Sequence, residues 1–224
     1  TWDGHLNDIN GFHVRSQHVD RALDTAVSGP VVEGNVGGGT GMICHEFKCG
    51  IGTASRQVKI GSDAHIVGVL VQANYGSLAS LRIAGVPVGS ELAGPPEQAG
   101  TATDGDDGSI IIVVATDAPL LPYQLKRVAK RAGMGLARMG SFAGEGSGDI
   151  FIAFSTANRA AAAGPTAGAT AFIDNGELNP LFEATVQATE DNTLIQIDLN
   201  GDGVFDGFNP ANGYRTARTT CAPG

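Results

Sequence analysis

The chain has 224 residues, of which 42% are hydrophobic and 17% charged, the balance of a globular protein that can bury a sizeable core. Its formal net charge of −9 argues against nucleic acid as a partner, because phosphate binding requires a basic surface. No apolar stretch approaches the roughly 20 residues that a membrane-spanning helix needs, so no membrane partner is expected. Neither a signal peptide nor an initiating methionine is seen, so we expect a processed, trimmed or incomplete N-terminus. The sequence therefore does not predict a cellular compartment.

The first part of the chain predicts a helix, a glycine-rich loop and three strands. Residues 17–26 show helical spacing of apolar positions, and residues 34–41 read Gly-Asn-Val-Gly-Gly-Gly-Thr-Gly. This loop lacks the Gly-Lys-Ser/Thr ending of a phosphate-binding loop, so close packing against a strand or an active-site wall is favoured. Apolar runs predict strands over 52–60, 64–73 and 80–88.

The second part alternates strands with amphipathic helices, after a long loop of Gly, Pro, Glu and Asp. The predicted elements are the loop at 89–108, a strand at 110–115, a helix at 119–138, a strand at 150–155, an alanine-rich linker at 160–171 and a helix that starts over 179–189. This order predicts layered α/β packing. Strands that are apolar on both sides predict a sheet covered on both faces.

The sequence holds three cysteines, at Cys44, Cys49 and Cys221. Their spacing lacks the paired Cys-x-x-Cys of a zinc site. We therefore expect buried or free thiols at these positions, and no metal site.

The pair Gly108-Ser109 stands between the acidic stretch 104–107 and the apolar strand at 110–115. A serine there suits either an ordinary loop position or the nucleophile of a self-cleaving hydrolase. If the Gly108-Ser109 bond breaks, Ser109 gains an α-amine with a reference pKa of roughly 8, which can accept a proton near neutrality. One residue would then supply both nucleophile and base.

Three further polar residues could converge with Ser109. Asn74 follows the second predicted strand, where its amide could stabilise an oxyanion or serve as a turn residue. Ser147 and Asp149 precede a later strand and share a face in an extended chain. They could orient a nucleophile or simply form a polar strand entrance. No Gly-x-Ser-x-Gly motif and no histidine spacing favours a Ser-His-Asp triad or a metal site.

Five sequence motifs carry a family resemblance that runs in order from Thr1 to about Thr189. The motifs are Asp3-Gly4 with Leu6-Asn7-Asp8-Ile9-Asn10-Gly11-Phe12-His13, the stretch from Glu33 to Met42, Gly50-Ile51-Gly52-Thr53-Ala54-Ser55-Arg56, the stretch from Gly108 to Pro119, and that from Gly146 to Thr156. Together they resemble the DmpA family, which comprises L-aminopeptidase/D-amidase-esterases and β-peptidyl aminopeptidases.

The resemblance implies a four-layer α/β/β/α sandwich like that of N-terminal-nucleophile hydrolases, differently connected. It implies self-cleavage between Gly108 and Ser109 into α and β pieces that stay together and assemble into homo-oligomers. Ser109 then matches the nucleophile and Asn74 the oxyanion-stabilising asparagine. Ser147 and Asp149 match the supporting serine–acid pair, in which relatives can have Glu as the acid. The implied enzyme releases an N-terminal L-, D- or β-amino acid from small peptides, amides or esters, without metal or organic cofactor.

The chain departs from the family pattern near its N-terminus. Trp2 falls where relatives can place a tyrosine that lines the site. The tryptophan ring can still form that wall of the site, but it lacks the tyrosine hydroxyl. Relatives also carry a further N-terminal portion that contributes strands. We therefore expect a partial domain over 1–190, with 1–108 as the α piece and 109–190 as the β piece.

The tail 191–224 diverges from the family and is rich in Asp, Asn and Gly. Its oxygen-bearing side chains resemble one calcium-binding loop, with candidate ligands at Asp198, Asn200, Asp202 and Asp206. Asn209 stands where an EF-hand would place its bidentate glutamate, so an ordinary turn or non-native tail sequence is favoured over calcium binding.

Two other functions stay open at this stage. The chain could be a truncated, catalytically silent domain, with or without stabilisation by calcium. It could also be an acyl transferase, because the related ornithine acetyltransferase fold matures by self-cleavage as well. The nucleophile expected for that transferase is threonine, so Ser109 argues against it.

Overall fold

The computed structural model describes residues 1–92, 108–159 and 170–194. Its strands are β1 (Ile43–Cys44), β2 (Phe47–Lys48), β3 (Ile51–Ile60), β4 (Asp63–Gln72), β5 (Ile111–Thr116) and β6 (Ile150–Ser155). Its α-helices are α1 (Ser16–Asp24), α2 (Val88–Leu92), α3 (Pro122–Arg138) and α4 (Asn179–Leu194). Short 3-10 turns lie at Ile9–Gly11, Gly37–Gly39, Leu78–Ser80 and Asn175–Glu177.

The central sheet has the strand order β3-β4-β5-β6. Strands β3 and β4 form an antiparallel hairpin, and β4 also pairs antiparallel with β5. Strands β5 and β6 run parallel, with α3 as the crossover helix between them, the connection that parallel neighbours require. Strands β1 and β2 form a separate two-stranded hairpin.

One face of the sheet is covered by α3 and α4. Val71, Ile112 and Phe151 lie side by side on this face of β4, β5 and β6, and the first two are completely buried. The two helices approach closely at Gly135, where an added Cβ would lie 2.6 Å from the Cβ of Thr189. A side chain at this position of α3 would therefore push the helical layer apart.

The opposite face of the sheet is apolar and accessible. Leu70, Val113 and Ile152 lie side by side there, and Ile152 and Phe154 are 48% and 45% exposed. The sequence predicted a sheet covered on both faces, whereas helices cover only one face within the described residues. The described part therefore supplies one helical layer and one sheet layer.

Most predicted elements are confirmed. The exception is the strand predicted over 80–88, which is wrong. The chain there makes a tight turn, with Ala84 and Gly85 at positive φ between the bridged residues Ile83 and Val86, and then enters α2. Most of the predicted loop at 89–108 and linker at 160–171, and the tail with its candidate calcium ligands, lie outside the described residues.

Candidate active site

Ser109 lies two residues before β5, at the end of the sheet, where its backbone is held from two sides. Its N–H donates to the carbonyl oxygen of Asn74 at 2.6 Å. The preceding residue, Gly108, is buried, and its carbonyl oxygen accepts a hydrogen bond from the Gly148 N–H at 3.1 Å. The Gly108-Ser109 peptide is therefore fixed between the end of β4 and the segment before β6.

The Ser109 side chain is half-buried and lines a cavity of about 330 Å³. Trp2, Gly146 and Gly148 line the same cavity. The backbone N–H of Trp2 donates to Ser109 Oγ at 2.8 Å. The structure thus brings Trp2 to the serine, although 107 positions separate the two in sequence.

Asn74 follows β4 and is buried, with 7% of its surface exposed. Its Oδ1 accepts a hydrogen bond from the Ile43 N–H at 3.1 Å. This hydrogen bond occupies the side-chain oxygen. The two N–H groups on Nδ2 are the donors of the Asn74 side chain. Asn74 therefore contacts Ser109 through its backbone oxygen, while its side-chain oxygen is held by the Ile43 N–H.

Ser147 and Asp149 lie in the segment that leads into β6. Asp149 Oδ1 accepts a hydrogen bond at 3.2 Å from the N–H of Ile110, the residue after Ser109. The backbone N–H of Ser147 donates to the Gly144 carbonyl oxygen at 2.9 Å. Within the described residues, no hydrogen bond joins the Ser147 hydroxyl to Ser109 or Asp149. The structure brings Asp149 to the strand of Ser109 and leaves the Ser147 hydroxyl outside this hydrogen-bond network.

The β1–β2 hairpin packs against Asn74 and contains a disulfide between Cys44 and Cys49, whose Cα atoms are 5.5 Å apart. Both cysteines are fully buried, as predicted. The expectation that they could be free thiols is wrong, because the hairpin turn brings Cys44, at the end of β1, close enough to Cys49, just after β2, for the two sulfurs to bond.

The glycine-rich loop packs closely against β3, which confirms the preferred interpretation of this segment. An added Cβ on Gly39 would lie 2.6 Å from the Gly34 carbonyl oxygen and 2.7 Å from the Ile51 backbone nitrogen. These are backbone atoms that cannot move aside. The glycines thus allow the loop to approach the start of the strand.

The sequence did not predict two groups at the site, the backbone N–H groups of Trp2 and Ile43. A backbone donor leaves no residue-type signal, because every residue except proline carries one. In the described ranges 1–92, 108–159 and 170–194, no group of three or more His, Cys, Asp or Glu side chains could hold a metal ion. None of the helices in this part of the chain has the length and apolar character to cross a membrane.

Comparisons with known proteins point to one family. Residues 1–196 match the family described as peptidase family S58. The β-peptidyl aminopeptidase BapA of Sphingosinicella microcystinivorans is 54% identical over 212 residues, which cover 88% of this chain and 54% of that protein.

Solved structures give the same result. A crystal structure of a protein from Pyrococcus horikoshii aligns with a TM-score of 0.76 and 47% identity, covering 86% of this chain and 52% of the other. The L-aminopeptidase D-Ala-esterase/amidase of Ochrobactrum anthropi, described as a prototype for the serine aminopeptidases and a variant of the Ntn hydrolase fold, aligns with a TM-score of 0.75, 47% identity and the same coverage. The chain therefore spans about half the length of the relatives it matches.

Proposed function

Because the chain belongs to peptidase family S58, which confirms the resemblance in its motifs, we propose that it carries the catalytic centre of a self-processing serine aminopeptidase. Its fold is α/β, of the Ntn hydrolase kind seen in its structural neighbours. The names of the relatives describe β-peptidyl aminopeptidase and L-aminopeptidase/D-Ala-esterase/amidase activities. For this chain we propose release of an N-terminal L-, D- or β-amino acid from small peptides, amides or esters.

The observation that carries the proposal is the arrangement around Ser109. Its hydroxyl lines a cavity and accepts a hydrogen bond from the Trp2 N–H, and its backbone is tied to Asn74. A donor on Oγ stabilises negative charge as it develops on that oxygen. The cavity gives a small substrate access to the same atom.

Maturation is proposed to begin with attack of Ser109 Oγ on the carbonyl carbon of Gly108. The carbon–nitrogen bond breaks as the ester bond forms, and the proton of the hydroxyl passes to the leaving amine. Water then hydrolyses the ester, which leaves a carboxylate on Gly108 and an α-amine on Ser109. The hydrogen bond from the Gly148 N–H to the Gly108 oxygen supports this step, because it withdraws charge from the carbonyl under attack.

In turnover the freed α-amine of Ser109 accepts the proton of its own Oγ, which attacks the carbonyl of the substrate's N-terminal residue. The amide nitrogen of Asn74 stabilises the oxyanion. The carbon–nitrogen bond of the substrate then breaks, and the leaving amine takes the proton from the α-ammonium group of Ser109. Water hydrolyses the resulting ester and releases the amino acid. Asp149 supports this arrangement by accepting the hydrogen bond from the N–H of Ile110, and Trp2 forms part of the cavity wall. Ser147 is proposed as the partner of Asp149 on the family resemblance alone. The scheme uses no metal or organic cofactor.

A second candidate function is a domain that is catalytically silent by itself. The chain spans about half of its relatives' length, and one apolar face of its sheet is accessible, with Ile152 48% exposed. We propose that residues 1–190 form part of the sandwich and that this face receives the second sheet. Without that sheet, the cavity beside Ser109 could lack substrate-binding walls. The α and β pieces and their homo-oligomers are proposed on the same family grounds.

The test is hydrolysis of L-alanyl, D-alanyl and β-alanyl p-nitroanilides by the purified protein. We expect release of p-nitroaniline, and a loss of about 10³-fold or more in kcat for Ser109→Ala, as for other enzymes that lose their nucleophile. Ser62→Ala, which changes an exposed serine in the β3–β4 turn, is the matched control and should retain full activity. Activity that survives in Ser109→Ala would contradict the proposal. A folded protein that releases nothing would favour the silent domain.

A further inference from the structure

We propose that the Cys44–Cys49 disulfide is a positioning device for catalysis, which acts by holding the amide of Asn74 in its working orientation. The inference rests on the proposed function, since it assumes that the Asn74 amide stabilises the oxyanion. It assigns a role in the reaction to two residues that do not contact the substrate.

The hairpin contacts Asn74 and the residue that follows it. Ile43, the residue before Cys44, uses both of its backbone groups on this segment. Its N–H donates to Asn74 Oδ1 at 3.1 Å, and its carbonyl oxygen accepts from the Tyr75 N–H at 3.1 Å. The position of the Ile43 peptide therefore decides where the amide of Asn74 points.

The hairpin has little stability without its cross-link. Strands β1 and β2 have only two residues each, and a ladder this short has little stability of its own. Both turn residues are strained, because His45 and Glu46 have φ angles of 46° and 69°, a region that side-chain-bearing residues rarely adopt. The turn residues thus oppose the geometry that the Ile43 N–H requires.

The disulfide lies beside the Ile43–Lys48 pair of the hairpin. It joins Cys44, the residue after Ile43, to Cys49, the residue after Lys48, and so crosses diagonally between the two strands. At the turn, the His45 N–H donates to the Tyr75 carbonyl oxygen at 2.9 Å. The turn is thus tied to the protein by a hydrogen bond, and the strand pair that contains Ile43 is cross-linked covalently. Both sulfur-bearing residues are fully buried.

Loss of the disulfide should therefore affect catalysis as well as stability. A preorganised donor is effective because it needs no reorientation when charge develops. If the cross-link is absent, the Ile43 peptide is less restrained and the Asn74 amide spends less time aimed at the oxyanion. This should lower kcat and leave KM nearly unchanged, because the ground-state substrate does not depend on that donor.

The first experiment compares the hydrolytic activity of the purified Cys49→Ala variant with that of the wild-type protein, below the unfolding temperature of the variant. We expect kcat to fall about tenfold, as for a partly misplaced catalytic group, with KM within about twofold of wild type. Cys221→Ala is the matched control, since it removes the cysteine that takes no part in this disulfide, and it should leave kcat unchanged. A Cys49→Ala variant with wild-type kcat would overturn the inference.

The second experiment separates positioning from a general loss of stability. In an Asn74→Ala background, Cys49→Ala should cause no further loss of kcat, because the group through which the disulfide acts is gone. If the two losses in kcat multiply instead, the disulfide acts elsewhere and the inference is wrong. If Asn74→Ala alone keeps full kcat, the proposed role of Asn74 fails as well. A loss for Asn74→Ala with none for Cys49→Ala defeats only the present inference.

A third measurement keeps the test valid if Cys49→Ala does not fold. Folded wild-type protein is treated with dithiothreitol, which supplies two electrons and two protons to give two thiols while it closes to its own cyclic disulfide. Labelling of the freed thiols after quenching measures the reduced fraction. We expect kcat to fall in proportion to that fraction and to recover on reoxidation. Full activity in the reduced protein would overturn the inference.

Discussion

Ser109 is held between two regions that differ sharply in burial. The inner side consists of Asn74, Tyr75 and the hairpin Met42–Cys49, and the two residues nearest Ser109 are buried: Asn74 is 7% exposed and Tyr75 3%. The outer side is the segment 146–149, whose residues are half-buried or exposed and line the cavity through Gly146 and Gly148. One side can therefore fix the geometry of the reaction while the other admits a substrate.

The sharpest test of the inner side is Asn74→Asp. The variant keeps an oxygen for the Ile43 N–H and replaces the amide donor by a carboxylate, which would repel the oxyanion. We expect kcat to fall by about 10²- to 10³-fold, the loss measured when an oxyanion-hole donor is removed from other enzymes. Steady-state kinetics with an unchanged melting temperature would establish the effect, and Asn10→Asp, at an exposed asparagine, is the control. Wild-type kcat would show that the inner side does not supply the donor.

A second test places a methyl group on the inner side, at Gly108. An added Cβ there would lie 2.6 Å from Tyr75 Cα and 2.9 Å from the Asn74 carbonyl oxygen, so the backbone must shift. We expect Gly108→Ala to slow self-cleavage by about 10²-fold, since a displacement of about 1 Å at a reacting group can cost that much. The time course of the uncut chain on a denaturing gel gives the rate, and circular dichroism reports whether the variant folds. Cleavage at the wild-type rate in a folded variant would contradict a tightly fixed inner side.

The carboxylate of the outer side is tested by Asp149→Asn. The substitution preserves an oxygen for the Ile110 N–H and removes the charge. We expect kcat to fall by about 10- to 100-fold, the range expected when a hydrogen bond to a charged group is weakened. A loss as large as that of Asn74→Asp would mean that both sides contribute equally, and the comparison would then fail.

The smallest effect is expected for Gly148→Ala, the outer counterpart of Gly108→Ala. Its added Cβ would meet Ser109 Cβ at 3.4 Å, an ordinary contact, and the N–H that binds the Gly108 carbonyl oxygen is kept. We expect the rate of self-cleavage to change by no more than about twofold, as for most accessible substitutions. The gel assay used for Gly108→Ala measures both variants side by side. An equal loss in the two variants would mean that the outer side is as rigid as the inner side.

Much of the fold follows from the sequence because its strongest patterns belong to packed elements. The apolar run after Ser109 forms β5, as predicted. The amphipathic residues 119–138 contain α3, whose buried residues include Val128 and Ala132. The strand predicted over 80–88 failed because its apolar residues belong to a tight turn, set by backbone angles rather than by alternation.

The site was less accessible to sequence analysis than the fold. The positions of Ser109 and Asn74 follow from their places beside strands, but their mutual contact depends on the pairing of β4 with β5. The disulfide was missed because its turn, His45-Glu46, lacks the glycine or asparagine that normally marks a hairpin. Without that signal, nothing in the spacing brings Cys44 close to Cys49.

The most direct test of the central claim is the intact mass of the purified protein under denaturing conditions. If Ser109 is a self-processing nucleophile, the wild-type protein should give two species, residues 1–108 and 109–224, and Ser109→Ala should give one uncut chain. A single uncut species from folded wild-type protein, or cleavage after Gly108 that persists in Ser109→Ala, would contradict the claim.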